Sequence, residues 1–351
     1  MVPWIGAFWT CVNEKYQYSS VIVTTARTAA TTSNPPAVLL TWINRILEGL
    51  WLLTLFLVPL AFLSPTYILS EAVIAYVEVP KIAVLRTLVG IMTILWLLEW
   101  GIQGRIPLVG PEGFKGLTVN PRNWLPRLKV WLGERPERWV LLMAWFYLGA
   151  TLVSTIFSAS FRVSMWGEVP GQDGFTAYTT LALVLLFAVI ATHIKTRAQL
   201  GRLLGTLVVM GILASGYGVL QHYGNDFLGI LEVTGGSRNR VTSFMANADF
   251  SGAAIFLPVT ISLALAGAML KEPVTGKNGA RTQTKAWIMS GAAAAFWVLA
   301  LSIQMLGLAY TLTRGAWVGA LAALVIFLLL AAIFGGWRVL GGPDWFWDWP
   351  R

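Results

Sequence analysis

Two short stretches carry the residues best suited to chemistry. Gly235 to Pro258 (GGSRNRVTSFMANADFSGAAIFLP) passes from a polar, basic loop into an apolar run and holds Arg238, Arg240, Asn247 and Asp249. Tyr310 to Gly319 (YTLTRGAWVG) repeats the change, with Arg314 at the foot of another apolar run. An Arg at the N-terminal end of a helix adds positive charge to the positive end of the helix dipole. That arrangement suits an anion, because free backbone N–H groups and a planar guanidinium can hold phosphate oxygens together. Arg240 and Arg314 are therefore the leading candidates for an anion-binding pair.

The elements that must position them are membrane helices. Of the 351 residues 56% are hydrophobic and only 12% are charged, whereas soluble domains carry about a quarter charged residues. Apolar runs fall near 46–64, 82–100, 139–157, 176–194, 202–220, 250–270, 286–309 and 315–334. Each approaches the roughly 20 residues needed to cross the hydrocarbon core as a helix. The expected fold is all-α, a polytopic helical membrane protein with about eight transmembrane helices. Residues 1–40, polar and Thr/Ser-rich, lack the basic n-region and apolar h-region of a signal peptide and read as an N-terminal tail, with 41–351 as the helical membrane domain. Trp51, Trp100, Trp139 and Trp287 stand at run ends, where indole rings favour the headgroup level.

Basic residues alternate from loop to loop. The 101–138 loop, the 195–202 turn and the 271–285 loop are rich in Lys and Arg, and the positive-inside rule places them in the cytoplasm together with both termini. Loops 65–81, 158–175, 221–249 and 310–314 then face outward, with Arg162, Arg238, Arg240 and Arg314 as exceptions to the rule. The net charge of +9 is spread over these loops, which fits orientation in a bilayer and anionic lipid rather than nucleic acid. Within the inner loop, Asn123 to Leu132 (NWLPRLKVWL) reads equally as an interfacial helix or as a Pro-broken linker. Small residues such as Gly252 to Ala254 permit close helix packing, and Pro258 is expected to kink its run.

Several chemistries are not indicated. The single Cys11 excludes an intrachain disulfide, and with only His193 and His222 beside it no metal cluster is apparent. A phosphate-binding GxxxxGK[ST] loop and a HExxH zinc motif are both absent, and no cofactor is expected. Glu48 and Glu99 lie at run ends, where snorkelling to the interface accounts for them and leaves no proton relay. In the 158–175 segment Arg162, Glu168 and Asp173 either line an outward cleft or decorate a solvated hairpin. Arg238 and Asn247 are further cleft candidates, although Asn247 or Asp249 can equally cap the helix that follows. His222 reads as an interfacial polar residue or as a base, and a base needs an orienting partner that sequence does not show.

These residues resemble a known family. RVTSFMANADFSGAAIFLPVTISLAL is similar to the Arg-x-x-Ser-x-x-x-Asn motif and following helix of the O-antigen ligase and O-antigen polymerase family, and LTRGAWVGALAALV to its Thr-x-Ser-Arg-Gly-Ala-Trp motif. WGEVPGQDGFTAYTTLALVLLF and GVLQHYGND resemble its earlier segments, so the likeness covers about residues 140–335. The resemblance implies a GT-C-like membrane glycosyltransferase of the bacterial inner membrane, acting in cell-envelope polysaccharide or lipopolysaccharide biosynthesis. Such an enzyme moves a glycan from an undecaprenyl-diphosphate carrier to an acceptor glycan, lipid or protein, without metal or cofactor. By the same resemblance Arg240 and Arg314 engage the carrier diphosphate.

Two departures accompany the likeness, the first being Leu312-Thr313 in place of the commoner Thr-Ser or Ser-Ser before the Arg. The family's general-base histidine lies in a large outward loop beyond the Arg-Gly-Ala-Trp helix, and neither His193 nor His222 aligns with it. The chain therefore reads as the N-terminal part of such an enzyme, truncated at the C-terminus, with the catalytic residue unknown and a partner chain able to supply the missing part. The alternative is a non-catalytic membrane subunit or a lipid-linked-glycan transporter with the same diphosphate site.

Overall fold

The computed structural model describes residues 35–63, 73–103, 132–133, 137–168, 174–234, 237–269 and 280–333. Most of the N-terminal tail, the Asn123–Leu132 segment except Leu132, Asp173, Gly235-Gly236 and most of the 271–285 loop lie outside these residues. By contacts the chain divides into Met1–Ile43 and Asn44–Arg351. The described part of the first is the opening of helix α1; the second holds the interactions below.

Ten helices are described: α1 (Pro35–Leu60), α2 (Val73–Gln103), α3 (Glu137–Ile156), α4 (Phe161–Trp166), α5 (Ala177–His193), α6 (Arg197–His222), α7 (Ile230–Thr234), α8 (Ala248–Met269), α9 (Ala280–Tyr310) and α10 (Arg314–Ile333). A 3₁₀ turn, Ser243–Met245, precedes α8. No strand occurs among the described residues, only an isolated bridge between Ser237 and Arg240. Five helices are long and apolar enough to cross a membrane: Val38–Leu60, Tyr76–Gln103, Arg138–Ile156, Arg197–His222 and Ala248–Leu265. Ala177–His193, Ala295–Tyr310 and Arg314–Leu329 are shorter apolar helices. Helix α3 turns Phe146, Val140 and Val153 outward at 74%, 59% and 55% exposure, a surface that lipid and not water would cover. This is a membrane-embedded helical protein.

Local chemistry sets the helix starts. Thr196 opens α6 with a reciprocal capping box: its side chain accepts from Gln199 N, and the Gln199 side chain accepts from Thr196 N. Thr176 and Ser160 cap α5 and α4 in the simpler way, each accepting from the N–H three residues on. At the end of α1, Lys81 Nζ donates to the carbonyls of Pro59 (2.9 Å) and Ala61 (2.7 Å), so a side chain on α2 satisfies open carbonyls at the C-terminal end of α1.

Two packing groups follow. α5 packs against α2, α3 and α4. In the other group α6, α8 and α9 pack on one another and α10 packs on α8, around Met210, Ala214, Ile255, Val259 and Leu308, with Phe56 and Leu60 of α1 against this cluster. Close approach here requires glycine. A Cβ on Gly211 would overlap the Pro258 ring, and one on Gly307 would come within 2.6 Å of Ser215 Cβ and 2.7 Å of its Cα. The expected role of small residues thus falls on particular contacts, with Pro258 of α8 seated over Gly211 of α6.

Glu99 does not snorkel. It is 2% exposed, and its Oε2 lies 2.8 Å from His193 Nε2 on α5, while its Oε1 accepts from Gln103 Nε2 (2.7 Å) and Asn44 Nδ2 (3.4 Å). Glu48 pairs with Arg202 at 2.5 Å. A buried carboxylate needs such partners, so Glu99 serves a helix–helix contact rather than reaching for the interface, while the partly exposed Glu48 joins α1 to α6.

Candidate functional site

Between α6 and α8 the chain leaves the helical bundle, and polar side chains pin it down. Asp226 Oδ1 accepts from Tyr217 Oη and from Gln221 Nε2 (3.1 Å), and its Oδ2 accepts from Leu231 N (2.7 Å). Gln221 is fully buried; its Oε1 accepts from Ser243 N (2.8 Å), and Ser243 Oγ donates to Ala214 O (2.6 Å). Val241 N donates to Tyr310 O at 3.0 Å, tying the loop to the last residue of α9. The loop is thus fastened to the ends of two helices before it enters α8.

The backbone is strained in the same place. Among the described residues three non-glycines have positive φ: Ser243 (46°), Ala246 (57°) and Leu312 (52°). All belong to the two segments singled out by sequence. Such conformations cost about 1–3 kcal/mol each and persist where surrounding contacts over-determine them, typically where a loop must present side chains.

What these segments present is a charged cluster. Arg240 Nη2 lies 2.7 Å from Asp249 Oδ1, and Arg240 Nε donates to Thr311 O at 3.4 Å. Thr313 Oγ1 stands 3.2 Å from the same Asp249 oxygen and 2.9 Å from Ala248 O, so its one proton is within reach of both. Arg240 is therefore carried to the segment that ends in Arg314. Arg314 is the first residue of α10, exposed, with no hydrogen bond or ion pair among the described residues. Trp317 Nε1 donates to Leu308 O (3.1 Å), locking the start of α10 against the end of α9. The Arg240–Asp249 pair is half-exposed, 50% and 60% by side chain, and such pairs contribute about 0–1 kcal/mol.

An aromatic ledge borders the cluster. His222 stacks on Tyr310 with ring centroids 3.8 Å apart and planes 5° from parallel, and its Nδ1 lies 3.0 Å from Arg238 O. Tyr223 Oη is 3.2 Å from Tyr310 Oη. The Arg238 guanidinium lies against Gly224, whose φ of 88° only glycine adopts readily.

Other sequence candidates fall elsewhere. Asn247 Oδ1 accepts from Asp249 N (2.8 Å), so Asn247 caps α8. Asp249 does not cap; it turns to Arg240 and Thr313. Arg162 lies exposed on α4, which packs against α3 and α5, and no hydrogen bond joins it to the cluster. Sequence reasoning missed Tyr310 and Thr313, ordinary residues until folding brings them to the loop. It also missed Arg86, whose Nη2 donates to Thr179 Oγ1 (2.7 Å) and Thr176 Oγ1 (3.0 Å) while its guanidinium sits over the Tyr178 ring. A cation inside an apolar run was the available signal. Among the described residues no group of three or more His, Cys, Asp or Glu could hold a metal ion.

Comparison of the chain with protein-family models, with curated proteins and with solved structures finds no match in any of the three.

Proposed function

We propose that this protein is a membrane glycosyltransferase of the O-antigen ligase and polymerase type, which holds an undecaprenyl-diphosphate-linked glycan through Arg240 and Arg314 and passes the glycan to an acceptor. The observation that carries this reading is Arg314, exposed and without a side-chain partner among the described residues, at the N-terminus of α10 and next to the segment on which Arg240 is anchored. In the proposed reaction an acceptor hydroxyl attacks the anomeric carbon, the bond from that carbon to the carrier phosphate breaks, and the proton of the hydroxyl passes to a base. Negative charge grows on the departing diphosphate, where preoriented guanidiniums stabilise it most. Each charge-assisted contact contributes about 1.5–3 kcal/mol.

In this reading all eight apolar runs cross the bacterial inner membrane in a GT-C-like arrangement, with the N-terminus inside and the cluster outside. The test is to incubate the purified chain in lipid nanodiscs with an undecaprenyl-diphosphate oligosaccharide and a glycan acceptor. Release of free undecaprenyl diphosphate together with extended acceptor, by the chain alone or with a partner chain that supplies the base, supports the transferase. Passage of the intact carrier-glycan across the bilayer, with no glycosidic bond made, identifies a transporter instead.

A further inference from the structure

We infer that Asp249 sets the placement of Arg240 relative to Arg314, and thereby makes the cluster selective for a diphosphate over a monophosphate; the inference rests on reading the two arginines as the carrier site. One carboxylate oxygen serves both segments. Asp249 Oδ1 is 2.7 Å from Arg240 Nη2 and 3.2 Å from Thr313 Oγ1, and Thr313 is the residue before Arg314. Arg240 is held along one edge only, through Nη2 to Asp249 and Nε to Thr311 O, and its Nη1 makes no hydrogen bond among the described residues. That edge-on hold leaves one face of donors for a ligand while removing the rotamer freedom of a long side chain.

Two roles for Asp249 have opposite consequences. As an occupant it would imitate the anion, and removing it would free Arg240 and raise the affinity for any phosphate. As a spacer it fixes one of two cations that a diphosphate must meet together. The geometry favours the spacer. Asp249 approaches from the first turn of α8, whose start is capped by Asn247 (2.8 Å), and the Leu312 backbone beside Thr313 is held at a φ of 52°. A single phosphate needs only Arg314 and gains little from a fixed partner; two linked phosphates engage both cations, and lose the second contact when Arg240 swings free.

The experiment measures binding of undecaprenyl diphosphate and undecaprenyl monophosphate to the full chain in nanodiscs of neutral lipid, for wild type, Asp249→Ala, Asp249→Asn and Thr313→Val. The spacer role predicts that Asp249→Ala weakens diphosphate binding about tenfold or more, the size of one charge-assisted contact, while monophosphate affinity is steady or slightly higher. Asp249→Asn, whose amide oxygen still accepts from Arg240 and Thr313, keeps the wild-type preference. Thr313→Val, which preserves all charges, lowers it by a smaller factor and supplies the test if Asp249→Ala does not fold. Equal tightening of both probes in Asp249→Ala would overturn the inference and leave the two-arginine site standing. Equal weakening of both probes by Asp249→Ala and by Thr313→Val would overturn it as well, since neither residue then distinguishes two linked phosphates from one. Failure of the wild type to bind either probe would sink the carrier site and this inference with it.

Discussion

His193 Nε2 lies 2.8 Å from Glu99 Oε2, with side chains only 5% and 3% exposed, and this contact joins α5 to α2. The ring is held on its other side by Val189 O, 2.7 Å from Nδ1. Removing one member of such a pair strands the other in a dry interior, at a cost of about 3–5 kcal/mol. Glu99→Ala and His193→Ala should each lower stability by that amount, read from denaturant unfolding in detergent. Replacing both with apolar residues of similar volume, Glu99→Leu with His193→Phe, should recover most of it. A double variant as unstable as the sum of the two singles would show that the contact is not an isolated pair.

Helix packing gives a second prediction. Gly307→Ala forces a methyl onto Ser215, and Gly211→Ala drives one into Pro258, whereas Gly205 and Gly216 on the same α6 have open space where a Cβ would stand. Overpacking costs about 1–3 kcal/mol, while Gly→Ala in open helix gains up to about 1 kcal/mol. The first two variants should lower the thermal midpoint and the latter two should hold or raise it. Equal effects in all four would remove the argument for intimate α6–α8 and α6–α9 contact.

The eight helices that hold the apolar runs were legible because hydropathy alone marks them, whereas the short α4 and α7 fall in stretches that read as loops. Their ends were less so. The 65–81 stretch read as a loop because Glu78, Pro80 and Lys81 interrupt its apolar character, yet α2 begins at Val73: Glu78 accepts from Gly174 N and Lys81 finds carbonyls at the end of α1. Helix α6 starts at Arg197, earlier than its apolar run, because Thr196 and Gln199 cap it. Of the charged cluster, Arg240, Arg314 and Asp249 stand out in sequence by type and place. The approach of Arg240 and Asp249 to the 311–313 segment does not, because it rests on Thr313 and the Val241–Tyr310 backbone bond, contacts between segments some 70 positions apart. Glu99 was misread for the same reason: its partner is His193, 94 positions away.

Orientation can be checked directly. With Cys11 replaced, single cysteines at Asn225 and Lys277 should be labelled from opposite sides of the membrane by an impermeant maleimide, Asn225 from outside. Labelling of both from one side would put the charged cluster and the basic loops on the same face, which the proposed topology forbids.

The central claim of the proposal is that Arg314, unpaired among the described residues, binds the carrier diphosphate. Its most direct measurement is the affinity of undecaprenyl diphosphate for the chain in neutral nanodiscs, compared among wild type, Arg314→Lys and Arg314→Ala. Planar guanidinium meets two phosphate oxygens at once and an ammonium cannot. The account therefore predicts about tenfold weaker binding for Arg314→Lys and a further loss for Arg314→Ala, on the scale of one to two charge-assisted contacts. Affinity unchanged in Arg314→Ala would contradict it.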